Sequence, residues 1–236
     1  HVGLVGANGE GKSTFLNIVT GHLQPDEGKV EWPGKVSVGY LDQQSTLEKG
    51  MTIREVLRTA FQGMYEMEQQ MLDLYDKMGD ATPEELDKMM NTVGEIQSEL
   101  EHSGFYSLDA KIEEVANGLG LGSVGLDRDV ADLSGGQRSK VLLTKLLLQN
   151  SNILLLDEPT NYLDVEHIEW LTKFLQNYEH AFILISHDIT FLNNVVNVIY
   201  HLENSNLTRY TGDYNRFQEM YAIYKSQQEA AYERQQ

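Results

Sequence analysis

Val2-Gly3-Leu4-Val5-Gly6-Ala7-Asn8-Gly9-Glu10-Gly11-Lys12-Ser13-Thr14 is the stretch from which the fold can be read. Val2 to Val5 is a short apolar run of the kind that forms a strand buried on both faces. Gly6 to Ser13 match the pattern G-x-x-x-x-G-K-[ST], Thr14 follows, and Phe15, Leu16, Ile18 and Val19 then recur at helical spacing. Glycines let the backbone turn tightly so that its N–H groups face an anion, and the helix starting near Lys12 adds the positive end of its dipole. Lys12 is expected to reach the outer phosphates of a nucleotide and Ser13 to ligate Mg²⁺. The whole loop, Gly6, Ala7, Asn8, Gly9, Glu10, Gly11, Lys12, Ser13 and Thr14, is therefore a candidate nucleotide-binding segment.

With 236 residues and 41% hydrophobic content, the chain is long enough for one α/β domain carrying an insertion. It has no cysteine, which excludes disulfides and thiol chemistry. No apolar run approaches the roughly 20 residues that span a bilayer, and the opening residues form no signal-peptide pattern. A cytoplasmic location is expected. Because the first residues already read as a strand feeding the loop, the chain is expected to be a fragment preceded by further sequence. The formal charge of −18 argues against non-specific coating of nucleic acid, which needs clustered Lys and Arg. Much of that charge is local, since Glu66 to Glu114 holds 14 acids against 3 lysines and reads as a solvated helical face.

Lys35 to Tyr40 alternates like a half-buried strand. From about Thr52 the period becomes helical, with Met64, Met67, Met71, Leu74, Tyr75 and Met78 on one stripe. Gly79-Asp80-Ala81 interrupts it, and Thr82-Pro83-Glu84-Glu85 supplies an N-cap, a proline at the first helical position and a capping-box glutamate. Leu86, Met89, Met90, Val93, Ile96 and Leu100 continue as a second stripe, so a helical hairpin with a methionine-rich core is predicted. After Leu133 come a helix through Val141 to Leu148, a strand Ile153 to Leu156, a helix through Ile168, Leu171 and Leu175, and a strand Phe182 to Ile185. That alternation implies a mainly parallel sheet covered by helices. Val198 to Leu202 and Leu207 to Tyr210, joined by Asn204-Ser205-Asn206, read as a closing hairpin. Phe217, Met220, Tyr221 and Tyr224 mark a final exposed amphipathic helix.

Two further motifs carry chemistry. Ile153-Leu154-Leu155-Leu156-Asp157-Glu158 ends a buried strand in two carboxylates, at the sheet edge where ligands of open α/β folds bind. Asp157 is the candidate for the Mg²⁺ shell, and Glu158 for orienting or deprotonating the attacking water. Leu133-Ser134-Gly135-Gly136-Gln137 is a second glycine-rich turn leading into a helix, again suited to an anion. Ser186-His187-Asp188 cannot be a catalytic triad, because consecutive residues at a strand end do not converge on one proton-transfer line.

Taken in order, these motifs resemble the ATP-binding cassette ATPases, a P-loop NTPase fold with an inserted α-helical subdomain. Gly11-Lys12-Ser13 resembles Walker A, Gln43 the Q-loop, Ser134 to Gln137 the signature motif, Asp157-Glu158 Walker B, Leu163-Asp164 the D-loop and His187 the switch histidine. Asp157-Glu158-Pro159-Thr160-Asn161-Tyr162-Leu163-Asp164 is similar to the DEPTNHLD of the ABC-F branch, with Tyr162 in place of the usual His. Gly104-Phe105-Tyr106, Gly118-Leu119-Gly120-Leu121 and Tyr210-Thr211-Gly212-Asp213-Tyr214 extend the similarity. Ile189 departs from it by standing where that branch commonly has Arg.

The resemblance implies ATP and Mg²⁺ as ligands and ATP hydrolysis in a head-to-tail sandwich of two cassettes. Ser134, Gly135, Gly136 and Gln137 of one would contact the γ-phosphate held by the other. Glu158, His187 and Gln43 would be catalytic; Ser13, Gln43 and Asp157 would hold the metal; Asp164 would approach the nucleotide across the pair. Residues 1–44 and 133–212 would form the ATP-binding core and 45–132 the helical subdomain, with 213–236 starting an inter-domain linker. The branch implies a second cassette, either beyond Gln236 or in a homodimer, and a ribosomal partner. The alternative is the ATPase subunit of a membrane transporter, engaging its permease near Gln43.

Overall fold

A computed structural model describes residues 1–41, 47 and 49–236. Gln43 lies outside the described residues. Contacts divide the chain into two units, His1–Ser45 with Asn150–Gln236, and Thr46–Gln149.

The first unit is built on β1 (Val2–Val5), α1 (Lys12–Val19) and β2 (Val38–Tyr40), and resumes after the insertion with β3 (Ile153–Asp157). The second unit contains α2 (Ile53–Arg58), α3 (Gln62–Lys77), α4 (Pro83–His102), α5 (Leu108–Gly118) and α6 (Gly135–Leu148). Beyond β3, the first unit continues with α7 (Val165–Gln176), β4 (Ala181–Ile185), α8 (Ile189–Val195), β5 (Val198–Glu203), β6 (Asn206–Thr211) and α9 (Tyr214–Gln235).

The sheet runs β2-β3-β4-β1-β5-β6. Its first five strands are parallel and β6 returns antiparallel through the Asn204-Ser205 turn. Register sets Val2 beside Ile183 on one side and Val198 on the other, while Asp157 pairs with Ile185. Leu154, Leu155 and Leu156 are completely buried, the burial on both faces that a continuous apolar strand requires. Leu4, Leu16, Leu155 and Ile185 form one core cluster, and Phe15 and Val19 of α1 pack against it. The three-residue β2 is shorter than its alternating pattern suggested, with Val36 and Ser37 lying before the ladder.

In the second unit, Thr52 and Glu55 form a capping box at α2, and Thr82 and Glu85 form another at α4. The predicted hairpin is α3 and α4. Met71, Val93, Ile96, Leu100, Phe105 and Leu108 form its core, flanked by Met64, Met67, Leu74 and Met78. Tyr75 and Met90 leave the two apolar stripes for solvent. Helix α6 groups with this unit, packing on α2 and α5. Likewise α9 starts as part of the first unit: Phe217 is buried among the rings of His201, Tyr210 and Tyr221.

The Tyr221 hydroxyl donates to Glu203 Oε1 at 2.8 Å. That bond to a carboxylate, helped by burial, pushes its pKa up to about 12. A raised folded-state value means that Tyr221 contributes stability fully below the ordinary tyrosine value near 10, and loses it as pH climbs through about 12. Urea midpoints should therefore fall between about pH 9 and about pH 12, and Tyr221→Phe should flatten that fall. An equally steep fall in the variant would assign the alkaline sensitivity to other groups.

Candidate functional site

Three loops leave the carboxyl ends of β1, β3 and β4 on the same edge of the sheet, and the described candidate residues of the first unit sit on them. Parallel pairing produces this arrangement, because it aligns all the strand ends in one direction.

The loop after β1 closes on itself through Glu10 N–H to the Ala7 carbonyl at 3.2 Å. Gly9 and Gly11 take φ of 88° and 101°, left-handed values that any Cβ would strain. Gly11 also caps α1, and the α1 N-cap has no side-chain hydrogen bond. The first-turn N–H groups of α1 thus lack the side-chain acceptor that satisfies most helix starts. Gly6 is needed for a different reason. A Cβ built there would stand 2.6 Å from the Leu202 carbonyl oxygen, where β5 crosses behind the loop. Lys12 Nζ donates to the Gly6 carbonyl at 2.7 Å, so its charge already spans the loop. Ala7, Asn8, Gly9, Ser13 and Thr14 are exposed along the rim.

Asp157 is the last residue of β3 and is half-buried. Burial raises its pKa above the ordinary aspartate value and the adjacent Glu158 charge raises it further, while Lys12 and His187 oppose both. Glu158 turns the chain with φ of 51°, a left-handed conformation rarely adopted outside Gly, Asn and Asp. Its own N–H is held by the Ile185 carbonyl at 2.8 Å, which extends the β3–β4 ladder by one bond. Glu158 Oε2 accepts the His187 backbone N–H at 3.2 Å. Glu158 Oε1 is buried and pairs with His187 Nδ1. On the far side of the imidazole, His187 Nε2 is 3.3 Å from Asn8 Oδ1. A chain of contacts therefore runs from the β3 loop through His187 to the β1 loop. Asp188 caps α8, its carboxylate accepting the Phe191 N–H at 3.0 Å, in keeping with its exclusion from any triad.

Lys12, Asn8, Asp157, Glu158 and His187 are thus brought together. Other candidates are engaged elsewhere. Glu10 Oε2 accepts the Asn204 N–H at 3.0 Å and faces the β5–β6 turn. Asp164 caps α7 by accepting the His167 N–H at 3.1 Å. In the second unit, Ser134 and Gln137 form a reciprocal capping box at the start of α6, with bonds of 3.2 and 3.0 Å, and Ser134 and Gly135 are exposed. The Asn8 and Asn204 contacts were not anticipated from sequence. Asn8 occupies an unconstrained position of the loop pattern, and Asn204 lies 194 residues from Glu10.

These residues suit a magnesium-bound triphosphate. The glycine cradle leaves no room for a Cβ at Gly6, the start of α1 has no side-chain acceptor, and the charge of Lys12 acts on the half-buried Asp157, a set that suits phosphates and an ion taking its other ligands from phosphates and water. Among the described residues, no cluster of three or more His, Asp or Glu offers an all-protein metal cage.

A family model described as ABC transporter matches residues 1–161. Over its full length the chain is 64% identical to a Bacillus subtilis protein, YfmM, called an uncharacterized ABC transporter ATP-binding protein, of which it covers 46%. It is 36% identical to ABC transporter F family member 5 of Arabidopsis thaliana, covering 34% of that protein. Across 92% of the chain it is 35% identical to the energy-dependent translational throttle protein EttA of Mycobacterium tuberculosis, covering 38% of it. The chain thus spans less than half the length of these relatives. A solved structure of the ATP-binding subunit of an ABC transporter superposes over 89% of this chain and 78% of that one, with a TM-score of 0.61 at 20% identity, a likeness of fold.

Gly6→Ala should push the loop off the Leu202 carbonyl. Overpacking against backbone of this kind costs about 1–3 kcal/mol, so thermal denaturation should show a lowered midpoint together with weakened nucleotide binding. Unchanged values in both measurements would mean that the close approach is unimportant.

Proposed function

The chain belongs to the ABC transporter family of ATP-binding cassette ATPases, and from that premise we propose that it is the first of two cassettes in an ABC-F protein that works on the ribosome. The convergence of Lys12, Asp157, Glu158 and His187 from the loops after β1, β3 and β4, with Glu158 paired to His187, is the observation that carries the hydrolytic part of this reading. Names among the relatives, an F family member and a translational throttle, support the rest.

In the proposed reaction the N–H groups of the Gly6 to Thr14 loop and the start of α1 hold the phosphates of ATP. Lys12 exchanges the Gly6 carbonyl for the outer phosphate oxygens. Ser13 and Asp157 would hold Mg²⁺, with Gln43 completing the shell from outside the described residues. Bound there, the ion would neutralise charge on the β- and γ-phosphate oxygens. Glu158 Oε1 accepts a proton of the attacking water, whose oxygen bonds to the γ-phosphorus as the bond to the ADP oxygen breaks. His187 fixes Glu158 through its backbone N–H and contributes its ring to the γ-phosphate side. Little covalent chemistry is asked of the protein, so positioning and charge supply most of the rate.

A second cassette would contribute its own Ser134-to-Gln137 counterpart to this nucleotide, and Asp164 would approach the shared interface. The proposed core is 1–44 with 133–212, the helical subdomain 45–132 and the linker start 213–236. A second reading, the ATPase subunit of a membrane transporter, is favoured by the name of the 64% identical relative. Among the described residues no helix is long and apolar enough to cross a membrane, so a permease would have to be a separate chain or segment.

Lys12→Ala should weaken MgATP binding about 10- to 100-fold, the loss expected for charge-assisted bonds to phosphate. Glu158→Gln should retain ATP while slowing turnover at least about 100-fold, the lower end for removing a general base. In ATP, the Glu158→Gln form of the full-length protein should sediment with ribosomes. Recovery with membranes would support the transporter reading instead, and normal turnover by Glu158→Gln would remove Glu158 from its role.

A further inference from the structure

A carboxylate inside a loop that cradles phosphates works against its own ligand unless it is held away. Glu10 sits between Gly9 and Gly11 in that position, and its Oε2 accepts the Asn204 backbone N–H at 3.0 Å. Asn204 and Ser205 are the two central residues of the β5–β6 turn, both left-handed at φ of 51° and 62°. This pattern belongs to the two-residue hairpin turn, in which the flanking pair, here Glu203 and Asn206, closes the ladder. The N–H of the first turn residue projects out of such a ladder and is available to a side chain.

The turn is itself anchored. Glu203 Oε1 accepts the Tyr221 hydroxyl from α9 at 2.8 Å, so a strand end pinned to α9 faces the loop. The same strand backs the other end of the loop, where Gly6 approaches the Leu202 carbonyl too closely for any Cβ. The phosphate loop thus has two struts, one from β5 at Gly6 and one from the β5–β6 turn at Glu10.

We propose that Glu10 is a positioning residue: its carboxylate, clasped by the Asn204 N–H, keeps the phosphate loop open and its own charge outside the cradle. The inference rests on the nucleotide-binding reading of this loop. Glu10 touches neither the reacting atoms nor Asp157, Glu158 or His187, so its loss acts on nucleotide affinity and leaves the chemical step intact.

The test uses the full-length protein and compares Glu10→Gln, which keeps an acceptor of the same reach, with Glu10→Ala and with Glu10→Asp, which keeps the charge but falls one methylene short. Amide exchange at Asn204 reports the clasp. Exchange protection of the 6–14 segment during an ATP titration with Mg²⁺ reports nucleotide at this cassette alone, and steady-state turnover gives KM and kcat.

Glu10→Gln should keep Asn204 protected and ATP affinity near that of the parent. Glu10→Ala and Glu10→Asp should expose Asn204 and raise the half-protecting ATP concentration and KM about tenfold, the size of one lost hydrogen bond to a charged group, with kcat retained. Unchanged or tighter binding by Glu10→Ala would overturn the proposal by showing that the carboxylate only repels the ligand. Weak binding by Glu10→Gln with Asn204 still protected would overturn it equally. Lys12→Ala separates the two levels. If ATP protects the 6–14 segment equally in Lys12→Ala and in the parent, the nucleotide reading itself fails; if Lys12→Ala loses protection while Glu10→Ala keeps it, the role of Glu10 alone is refuted.

Discussion

Parallel pairing of β4 with β1 on one side and β3 on the other is the constraint on which the site depends. Strands buried on both faces must satisfy every backbone group within the sheet, and the continuous apolar runs of β3 and β4 leave them no alternative. Once paired, their carboxyl ends cannot diverge. The loop with Lys12, the turn with Asp157 and Glu158, and the turn with His187 are delivered to one edge even though β1 and β3 are not neighbours. The ladder continues one bond past β3, from Glu158 N–H to Ile185, and this bond holds the left-handed Glu158 in place. Strain of that kind persists where surrounding structure over-determines it.

A second feature concerns how charge is arranged at this edge. Asp157 and Glu158 are adjacent carboxylates in a half-buried place, a costly arrangement that raises the Asp157 pKa. Lys12 and His187 offset part of that cost. Glu10, the third acid of the neighbourhood, has its carboxylate turned away towards a backbone N–H at the β5–β6 turn. The local field therefore combines a cationic loop floor with a carboxylate pair at its side, the distribution that phosphoryl transfer with a divalent ion requires. The acidic balance of the chain as a whole does not conflict with this, because much of it lies between Glu66 and Glu114 in the helical unit.

Much of the architecture was legible in the residues. The loop pattern after an apolar run, the Asp157-Glu158 strand end and the Asn204-Ser205 turn each involve fewer than about fifteen consecutive residues, and local backbone chemistry settles them. The capping box at Thr82 was equally plain, since Ser or Thr followed three residues later by Glu satisfies two orphan donors at once. Tyr75 and Met90 were misjudged because a helical stripe is broader than the seam that one partner helix can cover.

By itself, the sequence determined that this protein has a phosphate loop, a pair of strand-end carboxylates, a mainly parallel sheet and an inserted helical hairpin, because each follows from short-range periodicity and turn chemistry. Tertiary structure alone decided that Glu158, His187 and Asn8 form one chain of contacts, that Glu10 faces Asn204 and that Gly6 must be glycine. These depend on strand order and register, which join residues as distant in the chain as Gly6 and Leu202 and leave no trace in local pattern.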